Sequence, residues 1–266
     1  TELDLVTNAH KIKRKHLQDM IKQSLLPTLT GADKSSPYMY SENAVYVVSP
    51  IGLNEAVTVH TGASLSTTNQ DPVNFALRII TEMSSYVEEV AKESNIRINV
   101  AHRPSGIAAM RLAELDTEEY GAATAVTQGL KRYPYYTDLV AIPMTDQLPL
   151  QDRISVESRF QTVMKGGHLL PIVLSPSINN TDELIELTES ISKSGLSFFT
   201  YSGTHSICRS CHKWQRGFVP TCALCGSSNI EHTGRSSATI EPLRLWPSSK
   251  LRNMDKIMQY STHLTS

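Results

Sequence analysis

Four cysteines within eighteen positions are the feature that most restricts how this chain can fold. They form two Cys-x-x-Cys pairs, Cys208 with Cys211 and Cys222 with Cys225, and the 266-residue chain has no other cysteine. Two such pairs supply four thiolates in a tetrahedral arrangement, which is the ligand set of a structural zinc ion. The spacing therefore predicts a small zinc ribbon. Gly226, after the last cysteine, suits the left-handed turn that such a ribbon needs.

Two disulfides or a redox-active pair are the alternative interpretations of these cysteines. A cytosolic chain favours metal binding over disulfides, and nothing in the sequence resembles a thioredoxin-like unit. Four protein ligands leave no open coordination position, so we expect the zinc to be structural rather than catalytic. The nearby His205 and His212 are interpreted as bystanders rather than ligands.

The composition indicates a folded protein that does not enter a membrane. Hydrophobic residues make up 40% of the chain, charged residues make up 19%, and the net charge is −1, as in ordinary globular proteins. No apolar stretch approaches the roughly 18 residues that a membrane-spanning helix needs. The acidic N-terminal segment also differs from a signal peptide. We therefore expect a cytoplasmic protein without membrane contact.

Helices that alternate with short apolar strands predict an α/β fold over about residues 1–200. Helices are expected at residues 2–25, from Pro72 through Val90, at 105–115 and at 182–193. Core strands are expected at residues 44–48, 96–101, 139–143 and 169–174. The helix that starts at Pro72 carries an apolar stripe of Val73, Leu77, Ile80, Met83, Val87 and Val90. Asn180 and Thr181 are suitable caps for the last of the helices.

Basic residues are unevenly distributed along the chain. Residues 201–266 carry a balance of +5, whereas the first 200 residues carry −6, and a further basic cluster lies in the first helix. The candidate nucleic-acid contacts are Lys11, Lys13, Arg14, Lys15, Arg209, Lys213, Trp214, Arg216 and Phe218. Their cations suit phosphates and their aromatic rings suit stacking on unpaired bases. A solvated helix face and aromatic packing beneath the ribbon would explain the same residues.

Several short segments, taken in order, resemble a known enzyme family. They are Gly52-Leu53-Asn54-Glu55, Tyr135-Tyr136-Thr137-Asp138, Gly166-Gly167-His168, the two cysteine pairs and the stretch from Arg235 to Pro242. Together they resemble the C-terminal part of the anaerobic (class III) ribonucleoside-triphosphate reductases, which are glycyl radical enzymes. The resemblance implies half of a glycyl-radical-type α/β barrel over residues 1–200. It also implies the zinc ribbon over residues 201–232, and over 233–266 a C-terminal segment that corresponds to the radical loop.

The departures from this family concern its chemistry. Ala238 stands where the family has its radical-bearing glycine, and a methyl group on the α-carbon obstructs formation of that radical. All four cysteines belong to the predicted zinc site, so none is left to relay a radical to the substrate. Asp138 replaces a usual asparagine, and Gly106 follows Pro104-Ser105 where the family has an acidic residue.

Three functions fit these observations. The first is a non-catalytic relative that acts as a binding or regulatory protein, with RNA or the ribosome as the leading partner. The second is the C-terminal piece of a split anaerobic ribonucleotide reductase, and the third is a nucleotide-sensing regulatory subunit whose pocket includes Gly166, Gly167 and His168. A half barrel also leaves a face uncovered, which a protein partner or a second copy would cover.

Overall fold

The computed structural model describes residues 2–26, 44–66, 69–121, 125–175, 180–235, 240–252 and 254–260. The described helices are α1 (Glu2–Lys22), α2 (Leu53–Thr61), α3 (Gln70–Ser94), α4 (Gly106–Glu119), α5 (Leu150–Val163), α6 (Thr181–Ser192) and α7 (Ser248–Leu251), with 3-10 turns at Leu243–Leu245 and Met254–Lys256. The described strands are β1 (Val45–Val48), β2 (Arg97–Val100), β3 (Gln128–Leu130), β4 (Tyr133–Tyr135), β5 (Leu170–Val173), β6 (Phe199–Ser202), β7 (Thr204–Cys208), β8 (Trp214–Arg216), β9 (Ile230–Arg235) and β10 (Ile240–Pro242). The predicted mixed α/β class is confirmed.

A first core forms where α3 packs on the parallel pair β1–β2. The two strands pair from Val45 opposite Arg97 to Val48 opposite Val100. The apolar stripe predicted for α3 faces this core, and three of its members are almost completely buried: Val73, Ile80 and Val87. Burying each such side chain contributes about 1.5–3 kcal/mol. The stripe therefore anchors α3.

Helix α3 begins two residues before the predicted start at Pro72. Asn69 is its N-cap, and the Asn69 side chain accepts a hydrogen bond from the backbone N–H of Asp71 at 3.0 Å. Pro72 thus lies in the first turn of the helix. Backbone N–H groups there have no acceptor within the helix, so proline, which lacks an N–H, costs no hydrogen bond. Asn95 ends the helix in the left-handed conformation, with φ 49°.

A second core lies around the parallel pair β5–β6, which α6 connects. Leu170 pairs with Phe199 and Val173 with Ser202. The buried residues of this core are Leu139, Val140, Leu150, Ile154, Leu170, Ile172, Leu187, Ile191, Leu196 and Tyr260. The predicted cap of α6 is confirmed, because the Asn180 side chain accepts the N–H of Asp182 at 3.0 Å.

The strand predicted at residues 139–143 is wrong, because this buried segment runs through bends. Two side chains of α5 form hydrogen bonds with the backbone of this segment. The Glu157 carboxylate accepts the N–H groups of Ala141 and Ile142 at 3.1 and 2.9 Å. The Arg153 guanidinium donates to the carbonyl of Ile142 at 2.9 Å. Buried backbone groups need partners but not strand partners, so an apolar run alone does not define a strand.

The C-terminal part of the described chain is an antiparallel sheet in the order β10-β9-β7-β8. The predicted domain divisions after residues 200 and 232 fall within β6 and β9 respectively. The division into domains stays a prediction.

The remaining described strands form two parallel pairs and the β3–β4 hairpin, and the described residues show no closed barrel. The half barrel therefore stays a prediction. The surface also keeps exposed apolar residues on α4, among them Ile107, Leu112 and Leu115. The covering of such a face by a partner likewise stays a prediction. None of the described helices combines the length and apolar character needed to cross a bilayer.

Candidate ligand cavity and cysteine cluster

A cavity of about 370 Å³ lies between the second core and the C-terminal sheet. Its walls include the start of α4, the segment that follows β4, the ends of β5 and β6, the β9–β10 hairpin and the chain after β10. Binding sites for small molecules occupy about 300–1,000 Å³ and combine apolar walls with a few polar groups. The size and composition of the cavity therefore suit a small organic ligand.

Asp138 is the most deeply buried charged residue of the cavity wall. One oxygen of its carboxylate accepts a hydrogen bond from the backbone N–H of Ser105 at 2.6 Å, which fixes the side chain at the start of α4. Tyr135 lies on the same wall. Burial and nearby carboxylates raise the pKa of Tyr135 to about 12, so the phenol stays protonated at neutral pH.

The opposite wall depends on a close approach between Gly234 and Trp246. A Cβ atom at Gly234 would lie 2.9 Å from Leu243 Cδ2 and 3.0 Å from two carbons of the indole, so a larger residue would displace these side chains. The indole Nε1–H of Trp246 is buried and has no hydrogen-bond acceptor among the described residues. An indole donor usually has a partner when it is buried, so this N–H is an exception among the described residues.

The hairpin that completes this wall contains the segment that the sequence comparison relates to the family's radical loop, a correspondence that stays a prediction. Arg235 pairs with Ile240, and Gly234 pairs with Glu241. Gly234, Arg235 and Glu241 line the cavity. The four residues between the strands, with Ala238 among them, lie outside the described residues.

The structure brings two of the family-like segments together beneath the cavity. The Glu55 carboxylate accepts the Thr137 hydroxyl at 2.7 Å, the Thr137 N–H at 3.2 Å and the Gln128 side-chain amide at 2.9 Å. Burial raises the pKa of Glu55, although these hydrogen bonds oppose the effect. Gly52 donates its N–H to the Thr137 carbonyl at 2.8 Å and has φ 80°, a conformation that favours glycine. These contacts hold the segment that carries Asp138.

A buried chain of ionisable side chains connects α5 to the loops that precede β5 and follow β2. His168 Nε2 donates to the Glu157 carboxylate at 2.6 Å, and His168 Nδ1 lies 2.7 Å from Nδ1 of His102. A carboxylate only accepts, so a neutral His168 accepts at Nδ1 from the N–H of His102. Gly166, Gly167 and His168 are absent from the described cavity wall. The nucleotide-sensing hypothesis places these three residues in a ligand pocket, but they do not line this cavity.

The chain of buried groups predicts an acid-dependent loss of stability. Burial, followed by the nearby His168, lowers the pKa of His102 to about 3. An unfolded histidine titrates near pH 6.5, so stability is complete above that pH and falls as the unfolded state takes up protons. Between pH 7.5 and 5.0 we expect His102 to contribute a loss of about 2 kcal/mol, measured by urea unfolding. The matched variant is His102→Asn, and an equal pH dependence in both proteins would contradict the assignment.

The four cysteines meet in the loop between β7 and β8 and in the loop before β9. All four sulfur atoms lie within 4.8 Å of one another. The Sγ atoms of Cys208 and Cys225 are 3.6 Å apart, and those of Cys211 and Cys222 are 3.5 Å apart, both far longer than a disulfide bond. All four cysteines are free thiols in the structure. The cluster can hold a metal ion, and its geometry is compatible with zinc.

The two halves of this cluster repeat the same backbone turn. His212 donates its N–H to the carbonyl of Cys208, and Gly226 donates its N–H to the carbonyl of Cys222, both at 2.9 Å. His212 and Gly226 have φ 62° and 71°, so the left-handed turn predicted at Gly226 is confirmed. Backbone N–H groups within the loop lower the pKa of Cys208 to about 6, which favours the thiolate.

The predicted nucleic-acid contacts lie on two separate parts of the fold. Lys11, Lys13 and Lys15 are exposed on α1, whereas Arg14 donates to the carbonyl of Asn95 at 2.9 Å.

The second set surrounds the cysteine cluster. Lys213 and Arg216 are exposed, and Trp214 and Phe218 are 52% and 54% exposed. Arg209 instead forms an ion pair with Glu231. Contact with RNA or the ribosome at these residues stays a prediction.

The sequence prediction missed the charged residues of α5. Leu150, Arg153, Ile154, Glu157 and Phe160 are all buried and follow helical spacing. The sequence signal for this pair was that two charged residues, Arg153 and Glu157, occupy positions of an otherwise apolar helical stripe. Arg153 also donates to the hydroxyl of Tyr260 at 2.7 Å, which holds the C-terminal segment against the second core.

These features define a mixed α/β protein with a ligand-sized cavity beside a four-cysteine sheet. The family model described as "Anaerobic ribonucleoside-triphosphate reductase" matches residues 1–256. The chain therefore belongs to the anaerobic ribonucleoside-triphosphate reductase family, and the resemblance seen in the sequence is confirmed.

Individual relatives show how much of the family fold is present. The anaerobic ribonucleoside-triphosphate reductase of Enterobacteria phage T4 is 23% identical over 157 residues, which is 57% of this chain and 25% of the phage protein. An anaerobic ribonucleotide reductase structure matches with a TM-score of 0.77 and 17% identity, over 98% of this chain and 40% of that chain. The Thermotoga maritima anaerobic ribonucleotide reductase in complex with dATP and CTP matches with a TM-score of 0.72 and 18% identity, over 95% of this chain and 39% of that chain. The chain thus spans about two fifths of the matched structures.

Proposed function

We propose that this chain is a non-catalytic member of its family that binds a small ligand in the cavity and holds a structural zinc ion at the cysteine cluster. The observation that carries the proposal is the position of the β9–β10 hairpin. Gly234, Arg235 and Glu241 line the cavity on both sides of residues 236–239. A ligand in the cavity would therefore contact both strands that flank residues 236–239 in the sequence.

Alanine at this position removes the radical chemistry that the family resemblance implies. A radical at an α-carbon is stabilised when the carbon lies flat between two amide groups, and only glycine does so without crowding by a side chain. A relay also needs a thiol close to the ligand. Every cysteine of this chain belongs to the cluster, and none is among the described residues that line the cavity.

The cysteine geometry supports zinc as the bound metal. Zinc–sulfur bonds of about 2.3 Å in a regular tetrahedron place the sulfur atoms about 3.8 Å apart. Two of the sulfur–sulfur separations in the structure, 3.5 and 3.6 Å, are close to this value, and all four sulfur atoms lie within 4.8 Å of one another. Cys208, Cys211, Cys222 and Cys225 would occupy all four positions, so the ion would stabilise the fold and take no part in a reaction.

A product assay combined with a binding assay tests this proposal. The full chain is incubated anaerobically with a radical-generating activase, a reductant and each of the four ribonucleoside triphosphates. We expect no deoxyribonucleotide, because the chain has neither the glycine nor a free thiol. Deoxyribonucleotide formation by the chain alone would overturn the proposal.

Ligand binding is measured by calorimetry with nucleosides and nucleotides as probes. Ile107→Trp enlarges an exposed side chain at the cavity wall and should abolish binding. Leu112→Trp is the matched control, since Leu112 is exposed on the same helix and is not among the cavity residues. Absence of any binding, or equal effects of the two substitutions, would contradict a ligand role for the cavity.

A further inference from the structure

Helix α1 has a second apolar side that does not face the core. One side of the helix packs on the protein, with Leu3 against the first core and His10 buried. Leu5, Ile12 and Met20 recur about two turns apart, which places them together on the other side of the helix. These three side chains, the α1 stripe, are 72%, 61% and 38% exposed. The outer side of a surface helix is normally polar, so the α1 stripe suits an apolar partner surface.

Lysine side chains flank the α1 stripe. Helical geometry places Lys13 and Lys15 on its two edges, and both residues are exposed. Residues 11–15 contain three exposed lysines and no acidic residue. Charges at the edges of an apolar stripe select partners of opposite charge. The partner surface should therefore be apolar and edged by acidic residues.

Helix α4 of the same chain presents a surface of this kind. Its inner side packs on the protein, where Ala109 and Ala113 are completely buried. Leu112 and Leu115 lie one turn apart on its outer side and are both exposed. Residues 114–119, which end the helix, contain four acidic residues and no basic residue. The outer side of α4 is thus apolar with an acidic end.

The acidic end of α4 opposes the dipole of the helix. The C-terminus of a helix carries a partial negative charge, so acidic side chains are unfavourable there and cations are favourable. Glu118 and Glu119 are exposed in the last turn, which has no basic residue. Arg111 is an exposed cation of the same helix, but it lies two turns before Glu118. Lysines from another molecule would relieve this repulsion.

We propose that two copies of this chain associate by packing the α1 stripe of one copy against the outer side of α4 in the other. Lys13 and Lys15 would lie beside Glu118 and Glu119. Contact between two α1 stripes would instead bring lysines together, and contact between two α4 ends would bring acidic residues together. Because α1 and α4 differ, two such contacts related by a twofold axis would close a dimer. The association does not depend on a ligand in the cavity.

Sedimentation velocity on the full chain over a micromolar concentration series tests the proposal. We expect association that weakens in high salt, because salt screens surface charges. Ile12→Asp and Leu115→Asp each place a charge in the apolar contact, so each should weaken association at least about tenfold. Ile185→Asp is the matched control, because Ile185 is half exposed on α6 and lies outside both surfaces. This control should associate as the unaltered chain does.

A charge exchange tests the pairing of the two helices directly. The Lys13→Glu/Lys15→Glu protein has acidic residues on both surfaces, and the Glu118→Lys/Glu119→Lys protein has basic residues on both. Neither protein should associate with itself. An equimolar mixture of the two should associate, because each α1 then meets an α4 of opposite charge. Circular dichroism of each protein checks that it is folded.

The outcomes separate this inference from the proposed function. An unaltered chain that stays monomeric over the series overturns the inference. Association that Ile12→Asp or Leu115→Asp leaves unchanged, or a mixture of the charge variants that stays monomeric, also overturns it. Association that is lost in each charge variant and regained in their mixture supports it. None of these results involves ligand binding, so failure of the inference leaves the proposed function intact.

Discussion

Replacing Cys222 with serine is expected to abolish binding of the proposed zinc ion and to unfold the C-terminal sheet. The cluster joins the β7–β8 turn to the loop before β9, and zinc binding by such sites contributes on the order of 10–16 kcal/mol to folding. Among the sheet residues, few large apolar side chains are buried to replace that contribution. The expected result is one zinc ion per unaltered chain by elemental mass spectrometry and none in the variant. Hydrogen exchange should show loss of protection in β7, β8 and β9.

His212→Asn is the control for this substitution. His212 lies in the same turn and has a left-handed φ of 62°, which asparagine tolerates. We expect the His212→Asn protein to keep its zinc ion and its protected amides. A Cys222→Ser protein that retained stoichiometric zinc, or an anaerobically purified chain without metal, would contradict the structural assignment.

Replacing Glu157 with alanine is expected to destabilise the protein by about 3–5 kcal/mol. The carboxylate is completely buried and accepts hydrogen bonds from Ala141, Ile142 and His168. Alanine would leave these three donors without their partner in a site that water does not reach. It would also remove the anion that lies near the buried cation Arg153. Urea unfolding at pH 7.5 measures the loss.

Ser155→Ala on the exposed side of the same helix is the matched control for Glu157→Ala. Ser155 bonds only locally, to the carbonyl of Asp152, so this change should alter stability by no more than about 0.5 kcal/mol. A loss below about 1 kcal/mol in Glu157→Ala would mean that the segment at 139–143 does not depend on this carboxylate.

Local patterns in the sequence predicted the elements whose stability is itself local. The stripe of α3, the cap at Asn180 and the β-branched run of β1 were all recognisable because neighbouring residues determine them. The cysteine cluster was recognisable for the same reason, since each pair forms within one tight turn.

The buried polar network and the cavity depend on residues far apart in the chain. Glu157 bonds to His168 and to the segment at 139–143, whose apolar run predicted a strand because the sequence does not show this distant partner. The cavity joins Asp138 to Trp246 across more than one hundred residues. No periodicity or spacing in the sequence indicates that two such distant residues line the same cavity, so the sequence alone could not predict this site.

The central claim is that Ala238 prevents this chain from carrying the radical of its family. Electron paramagnetic resonance of the full chain, after anaerobic treatment with a radical-generating activase, tests this claim most directly. The account predicts no stable carbon-centred radical. A stable signal whose hyperfine pattern changes when the chain contains ¹³C-labelled alanine would place a radical on an alanine and contradict the account.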